Sequence, residues 1–226
     1  MNVKQLAAEK AVEYVQDGMK VGLGTGSTAY WAIRKLGERV SEGLKITAVA
    51  TSQASEDQAR ELGIPLVAFG DVDSLDLTID GADELDGALQ LIKGGGGALL
   101  REKIVAMGST RMIVVADESK AVTTLGKFPL PVEIVPFAWE WTVADLAKLG
   151  CKPELRRSAG ELYKTDNGNY IADCRFEAID SAADLALALQ RIPGVVEHGL
   201  FIGIADMAVI GKNDGTIEII EGESNL

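Results

Sequence analysis

Apolar positions in the first half of the chain alternate between helical and strand spacing. A stripe that includes Leu6 and Val12 predicts a helix over Lys4–Gln16, which Gly18 ends. The strands predicted after it are Met19–Leu23, Ile46–Ala50, Pro65–Phe69, Leu75–Ile79, Leu89–Ile92 and Met112–Ala116. The helices predicted between them are Ala29–Val40, Gln53–Leu62 and Ala98–Met107. Strands that alternate with helices in this way predict a parallel sheet covered by helices.

The order of the predicted elements changes after Lys127. They are strand Val132–Val135, helix Trp139–Leu149, strand Glu154–Arg157, strand Tyr170–Phe176, helix Ala182–Gln190 and a strand near Val195. This β-α-β-β-α-β order is typical of a ferredoxin-like unit. Met207–Ile210 and Thr216–Ile220 are predicted strands that return to the first sheet. The pattern therefore predicts an α/β protein with a small second domain inserted near residues 128–203.

Composition and charge limit the partners of the protein. The 226 residues carry a formal net charge of −12, so no nucleic-acid partner is expected, because a phosphate backbone needs a basic protein face. A small anionic substrate needs only a local positive pocket.

No stretch approaches the roughly 20 apolar residues of a membrane span, so no membrane partner is expected. Cys151 and Cys174 are too few for a disulfide scaffold, and we expect reduced thiols in a cytoplasmic protein.

A loop rich in glycine and hydroxyl groups, Gly24–Thr28, follows the first predicted strand and precedes a helix. With Ala29 it matches the loose dinucleotide pattern G-x-G-x-x-A, but the second strand ends in Ala50-Thr51-Ser52, without the acid that holds the ribose in such sites. A P-loop does not fit either, because no Lys-Ser/Thr pair closes the loop. Two interpretations stay open: an anion site at the helix N-terminus, or simple capping of the helix by Ser27.

A lysine, four glycines and a glutamate follow one another between Lys93 and Glu102. The amides of Gly94–Gly97 can approach an oxyanion closely because no side chain shields them, and Lys93 adds positive charge. Glu102 lies in an apolar helical stretch, where partial burial would raise its pKa toward the value that a general base needs. The alternatives are a flexible surface loop and an exposed glutamate. Lys120 could reach the same edge of the sheet, or be an ordinary exposed lysine.

Two aspartates, Asp80 and Asp83, stand at the end of a predicted strand. They could hold sugar hydroxyls or relay a proton. The alternatives are a calcium or magnesium site with Glu84 and Asp86, or a capped turn. His198 is the only histidine, so we expect no histidine-rich metal centre and a structural role for this residue.

Nearly the whole chain resembles ribose-5-phosphate isomerase of the A type. The motifs that carry the resemblance are Gly24-Thr-Gly-Ser-Thr28, Thr51-Ser52, Asp80-Gly-Ala-Asp83, Lys93-Gly-Gly-Gly96, Arg101-Glu-Lys103, Ser119-Lys120, Gly126-Lys-Phe-Pro-Leu-Pro-Val132, Pro193-Gly-Val-Val196, Gly199-Leu-Phe201 and Ala205-Asp206. One such motif would be weak, but this many in order are specific. At Gly97 some members of the family have alanine.

The resemblance implies a metal-free aldose–ketose isomerase without cofactors. Its substrate is a small phosphosugar: the family interconverts D-ribose 5-phosphate and D-ribulose 5-phosphate through a cis-enediolate, in the non-oxidative pentose phosphate pathway. The implied fold is a Rossmann-like catalytic domain at residues 1–127 plus 204–226, with an inserted ferredoxin-like α+β domain at residues 128–203. A homodimer or homotetramer is also implied.

By position, Glu102 resembles the general base of that family, and Asp80, Asp83 and Lys93 are expected to act with it. The expected substrate-binding residues are Thr25, Gly26, Ser27, Thr28, Asp80, Gly81, Ala82, Asp83, Lys93, Gly94, Gly95, Gly96 and Lys120. The alternative function is a non-catalytic sugar-phosphate-sensing domain. A repressor of that kind normally has a DNA-binding helix-turn-helix and a basic face. The first strand is predicted near residue 19, which leaves no room before it for a helix-turn-helix, and the net charge of −12 does not favour a basic face.

Overall fold

The computed structural model describes residues 2–222 and has six α-helices and fifteen strands within that range. The helices are α1 (Val3–Val12), α2 (Ala29–Ser41), α3 (Gln53–Glu61), α4 (Leu99–Met107), α5 (Trp139–Ala147) and α6 (Ala182–Gln190). The strands are β1 (Lys20–Leu23), β2 (Thr47–Ala50), β3 (Leu77–Gly81), β4 (Glu84–Leu85), β5 (Leu91–Ile92), β6 (Met112–Asp117), β7 (Leu130–Ile134), β8 (Lys152–Leu155), β9 (Arg157–Ser158), β10 (Glu161–Leu162), β11 (Tyr170–Arg175), β12 (Val195–His198), β13 (Leu200–Phe201), β14 (Met207–Gly211) and β15 (Ile217–Glu221). No helix in the described range is long and apolar enough to cross a membrane.

The chain divides into two compact units. The first unit comprises the chain up to Ala82, Arg101–Ala121 and the chain from Gly203 onward; the second comprises Asp83–Leu100 and Val122–Ile202. Asp83–Leu100 thus packs with the second unit, although the sequence analysis placed it in the first domain. A packing unit is not by itself an independently folding domain, so the domain boundaries stay a prediction.

The first unit is built on a six-stranded sheet in the order β15-β14-β6-β3-β1-β2. Neighbouring strands from β14 to β2 are parallel, and β15 adds an antiparallel edge. Small and branched aliphatic side chains from α1, α2 and the strands form its buried core. The predicted parallel, helix-covered sheet is confirmed, and β14 and β15 join it as predicted.

Two predictions for local structure in the first unit are wrong. Pro65–Phe69 is not a strand, because only Leu66 forms a single bridge with Ala48 before a 3₁₀ turn at Phe69–Asp71. Proline lacks the N–H that would extend this pairing. The first helix was predicted to extend to Gln16 but ends at Val12, and a turn follows it directly.

The main sheet of the second unit is antiparallel and has the order β12-β7-β11-β8. The two central strands are thus the first and third of the β-α-β-β-α-β series, which is the ferredoxin-like arrangement that the sequence predicts. α6 has the predicted bounds, whereas β8 begins two residues before the predicted strand. The small sheet β13-β5-β4 and the hairpin of β9 and β10 were not fully predicted, because their strands have only two residues each.

Candidate active site

The carboxyl ends of the parallel strands in the first unit carry the first group of predicted site residues. β1 leads into the loop Gly24–Thr28, and Asp80 lies near the end of β3. Asp80 is fully buried, and its Oδ1 accepts hydrogen bonds from the Thr25 N–H at 2.9 Å and the Gly81 N–H at 2.7 Å. This carboxylate therefore fixes the loop after β1 to the end of β3.

Gly24 lets the loop pass directly over that carboxylate. A β-carbon on Gly24 would lie 2.2 Å from Asp80 Oδ1 and 2.5 Å from Asp80 Cα, which is too close for any side chain. The Gly24 N–H also donates to the Ile79 carbonyl at 3.0 Å, which continues the pairing of β1 with β3. The close approach of the two backbones explains why glycine stands here.

Hydroxyl groups from the next βα turn hold the side chain of Thr25. Its Oγ1 lies 2.7 Å from Thr51 Oγ1 and donates to Ser52 Oγ at 2.8 Å. Ser55 Oγ donates to the Gly24 carbonyl at 2.7 Å. The loop is therefore ordered by contacts within the protein.

Ser27 does not cap α2. Thr28 is the residue before the first turn, and its side chain makes no capping hydrogen bond. Ser27 is exposed, and its Oγ accepts a hydrogen bond from Lys4 Nζ at 2.9 Å. The capping interpretation is wrong, and a helix N-terminus next to a lysine favours the interpretation as an anion site.

Lys4 is a residue that the sequence analysis missed. It lies in the first turn of α1, which packs against β6 and β14. Its Nζ contacts Ser27 and also lies 3.9 Å from Asp117 Oδ2. Asp117 caps the short 3₁₀ turn Glu118–Lys120, which carries the partly buried Lys120. Folding therefore brings Lys4 to the same edge of the sheet as Lys120. The sequence pattern around Lys4 predicted only a helix and did not indicate this position.

Glu102 lies in the first turn of α4 and is buried, with 4 % of its surface exposed. The loop after α4 is hydrogen bonded to Leu75, just before β3, and Val105 packs over Gly22 in β1. α4 therefore runs antiparallel to these strands. Glu102 is one turn before Val105, so it lies on the same helix face and toward the carboxyl ends of the strands. The alternative of an exposed glutamate is wrong.

Lys93 belongs to the second unit and is almost fully buried, with 2 % of its surface exposed. It follows β5, and its N–H donates to the Gly199 carbonyl at 2.8 Å. The Nζ lies 5.4 Å from the centroid of the Phe201 ring, where the negative ring face attracts the ammonium group. The Lys93 side chain is therefore held at a defined position away from solvent.

The glycine loop, Gly94–Gly97, lies in the second unit beside Asp83. The Gly95 N–H donates to Asp83 Oδ2 at 2.7 Å, and the Gly97 N–H donates to the Gly94 carbonyl at 2.9 Å. Gly94 and Gly97 have φ angles of +102° and +83°, which favour glycine. Gly95 and Gly96 are exposed, so the middle of this tight turn is open to a ligand.

Glu84 and Asp86, the further carboxylates considered for a calcium or magnesium site, accept hydrogen bonds from backbone N–H groups. Glu84 is buried and accepts hydrogen bonds from the N–H groups of Gly126 at 2.7 Å and Phe128 at 2.6 Å. Asp86 Oδ1 accepts from two N–H groups in its own turn. Within residues 2–222, no three or more His, Cys, Asp or Glu residues are grouped so that they could hold a metal ion.

Comparison with known proteins gives consistent results. The sequence profile described as ribose 5-phosphate isomerase A (phosphoriboisomerase A) matches residues 47–215. Ribose-5-phosphate isomerase A of Bacillus mycoides is 55 % identical over 219 residues, which cover 96 % of this chain and 99 % of that protein. The structure of ribose 5-phosphate isomerase from Plasmodium falciparum has a TM-score of 0.95 and 41 % identity, and covers 98 % of each chain. A D-ribose-5-phosphate isomerase in complex with phospho-erythronic acid has a TM-score of 0.93 and 40 % identity over 98 % of this chain and 100 % of that one.

Proposed function

The chain belongs to the ribose 5-phosphate isomerase A family and isomerises ribose 5-phosphate, and we propose that Glu102 moves the proton in this reaction. The observation that supports the proposal is the burial of Glu102. This carboxylate lies on the side of α4 that packs against the sheet, near the carboxyl ends of β1 and β3. Ligands bind at this edge in open α/β sheets. The relatives are named as isomerases, and nothing in them supports a non-catalytic sensor.

The phosphate of the substrate is proposed to bind at the loop Gly24–Thr28. The N-terminus of α2 offers N–H groups and a partial positive charge, and Lys4 and Lys120 add full charges. The proposed substrate-binding segments are those of the family: Thr25–Thr28, Asp80–Asp83, Lys93–Gly96 and Lys120. Phospho-erythronic acid, bound by a related isomerase, is proposed to bind here as well.

In the proposed reaction, Glu102 removes the proton from C2 of the open-chain aldose and returns it to C1 of a cis-enediolate. Negative charge develops on oxygen in this step, and Lys93 together with the glycine-loop amides stabilises it. The aspartates have different environments, which supports different roles. Asp80 accepts two backbone N–H groups and holds the phosphate loop. Asp83, half-buried beside Gly95, assists ring opening and proton transfer between the hydroxyls.

The direct test of this function is conversion of ribose 5-phosphate to ribulose 5-phosphate in the presence of EDTA. We expect full activity, because the proposed steps use only side chains and backbone amides. Activity that EDTA abolishes would show that the reaction needs a metal ion and would contradict the proposed mechanism. A protein that binds the substrate without converting it would favour the sensor.

Lys4→Met is expected to raise the KM for ribose 5-phosphate about tenfold and to change kcat less than about threefold. The substitution removes one charge from the proposed phosphate site but none from the reacting carbons. Lys10→Met is the matched control, because Lys10 lies on the same helix and pairs with Glu13 on the surface. Steady-state kinetics of both variants would measure the difference, and an unchanged KM for Lys4→Met would contradict the phosphate contact.

A homodimer or homotetramer is also proposed. Phe137 and Trp141 of the second unit are 87 % and 80 % exposed, and large exposed aromatic side chains are typical of protein interfaces. A cytoplasmic location is proposed because Cys151 and Cys174 are both free thiols. Sedimentation of the purified protein would measure the size of the oligomer.

A further inference from the structure

Arg156 makes four side-chain hydrogen bonds within the second unit, two of them to the glycine loop. Its Nε and Nη2 donate to Asp173 Oδ2 at 2.9 Å and Oδ1 at 2.5 Å, a bidentate ion pair. Its Nη1 donates to the carbonyls of Gly94 at 2.9 Å and Gly95 at 3.0 Å. The side chain is only 15 % exposed, and the bonds to Asp173 and to the Gly94 carbonyl are partly buried. One guanidinium group thus joins the sheet of the second unit to two successive peptide groups of the loop.

The backbone of Arg156 is also fixed. It connects β8 and β9, and its N–H donates to the Ile171 carbonyl at 2.8 Å, while its carbonyl accepts from Tyr163 at 2.9 Å. Asp173 lies on β11, a central strand of the antiparallel sheet. The backbone and the guanidinium group of Arg156 are therefore both hydrogen bonded to the central strand β11.

The direction of the Arg156 bonds determines where the loop amides point. In a trans peptide, the carbonyl and the following N–H point in opposite directions. Because the carbonyls of Gly94 and Gly95 both face Arg156, the N–H groups of Gly95 and Gly96 must face away from it. The Gly95 N–H does so, since it donates to Asp83 on the other side. The Gly96 N–H is held in a similar direction, on the exposed part of the turn.

Tyr163 supports the same loop from its far end. A β-carbon on Gly97 would lie 2.2 Å from Tyr163 Oη, so the phenol packs directly against the Gly97 backbone. The Arg156 Cζ lies 5.8 Å from the centroid of the Tyr163 ring. Burial raises the pKa of the Tyr163 phenol, and the nearby Asp166 and Glu133 act in the same direction, against the effect of Arg156. The phenol is therefore neutral at neutral pH and packs without adding charge.

We propose that Arg156, oriented by Asp173 and packed against Tyr163, is a positioning residue that aims the Gly96 amide at the oxyanion of the enediolate and holds the Gly95 amide on the Asp83 carboxylate. It acts through the loop and does not itself contact the substrate. Its charge lies at the carbonyl end of these peptide groups, so it also polarises them and strengthens the hydrogen bonds that their neighbouring N–H groups donate. The inference rests on the proposed function, because it gives the loop amides an anion to bind.

Arg156→Met is the test, and Arg157→Met is its matched control. Met keeps much of the apolar stem of Arg156 but none of its donors. Arg157 is exposed, and its side chain donates to the Gly160 carbonyl of its own turn. We expect Arg156→Met to lower kcat about 10–30-fold with KM within about threefold, since misplaced groups cost rate more than binding. Arg157→Met should keep both values within about twofold of the wild type.

Inhibition by two different anions distinguishes a positioning role of Arg156 from a general loss of structure in the variant. Phospho-erythronic acid carries a carboxylate in place of the enediolate oxygens, whereas inorganic phosphate probes only the phosphate loop of the first unit. In Arg156→Met, we expect inhibition by phospho-erythronic acid to weaken about tenfold and inhibition by phosphate to stay unchanged. Arg156→Lys, which keeps a charge for Asp173 but cannot donate to both carbonyls as well, should show the same pattern to a smaller extent. It replaces Arg156→Met if that variant does not fold.

An unchanged kcat, or equal weakening of both inhibitors, would overturn the inference. The wild type and Glu102→Gln, measured in the same assay, test the proposed function separately. If the wild type isomerises ribose 5-phosphate and Glu102→Gln does not, a normal Arg156→Met contradicts only the role of Arg156.

Discussion

Glu102→Gln is expected to lower kcat about 10³-fold and to leave KM within about threefold of the wild type. Glutamine has nearly the same size and can still donate and accept hydrogen bonds, but its amide cannot take the C2 proton. A positioned general base typically contributes about 10²–10⁴-fold to the rate. Because Glu102 is buried, water cannot easily take over the role of the base, so we expect a loss of kcat near the middle of this range. Exchange of the C2 hydrogen with deuterium oxide, followed by proton NMR, should be lost together with turnover.

Glu140→Gln provides the matched control for this substitution. Glu140 also lies in the first turn of a helix, α5, but it is exposed. Both variants therefore replace a carboxyl group in the first turn of a helix by an amide of nearly the same size. Only Glu102→Gln should lose activity. Turnover near the wild-type value in Glu102→Gln would assign the proton transfer to another group.

Most of the fold could be predicted because its signals are local. Apolar runs and helical stripes predicted the parallel sheet, and α6 was predicted with its observed bounds. The failures have equally local causes. Pro65 interrupts the pairing that its apolar neighbours suggest, and the two-residue strands β4, β5 and β13 are too short to show a period.

The candidate site could be predicted only where its residues are neighbours in the sequence. The apolar residues around Glu102 predicted its burial, and the structure confirms it. Lys4 was missed because its contact with Ser27 depends on how α1 packs against the sheet. Arg156 was missed for the same reason, since it is 62 positions from Gly94 in the sequence. The catalytic roles of the site residues stay predictions.

Lys93→Met is expected to lower kcat about 10²–10³-fold with a smaller change in KM. The Lys93 ammonium is held in place by burial and by the Phe201 ring, so it does not need to reorganise as charge develops on the substrate oxygen. A preorganised positive group in a site that excludes water is worth about this much in other enzymes. Methionine matches the length and the apolar stem of lysine, and the backbone hydrogen bond to Gly199 does not depend on the side chain.

Stability measurements decide whether a loss of activity in Lys93→Met is catalytic. The free energy of unfolding in urea, measured for each variant, shows how far the substitution also weakens the fold. Lys152→Met, at an exposed position on β8, is the control and should behave as the wild type in both measurements. A Lys93→Met variant with kcat within about threefold of the wild type would mean that the glycine-loop amides stabilise the enediolate without the lysine. A variant that is slow and as stable as the wild type would instead show that the buried charge acts in catalysis, because the fold does not need it.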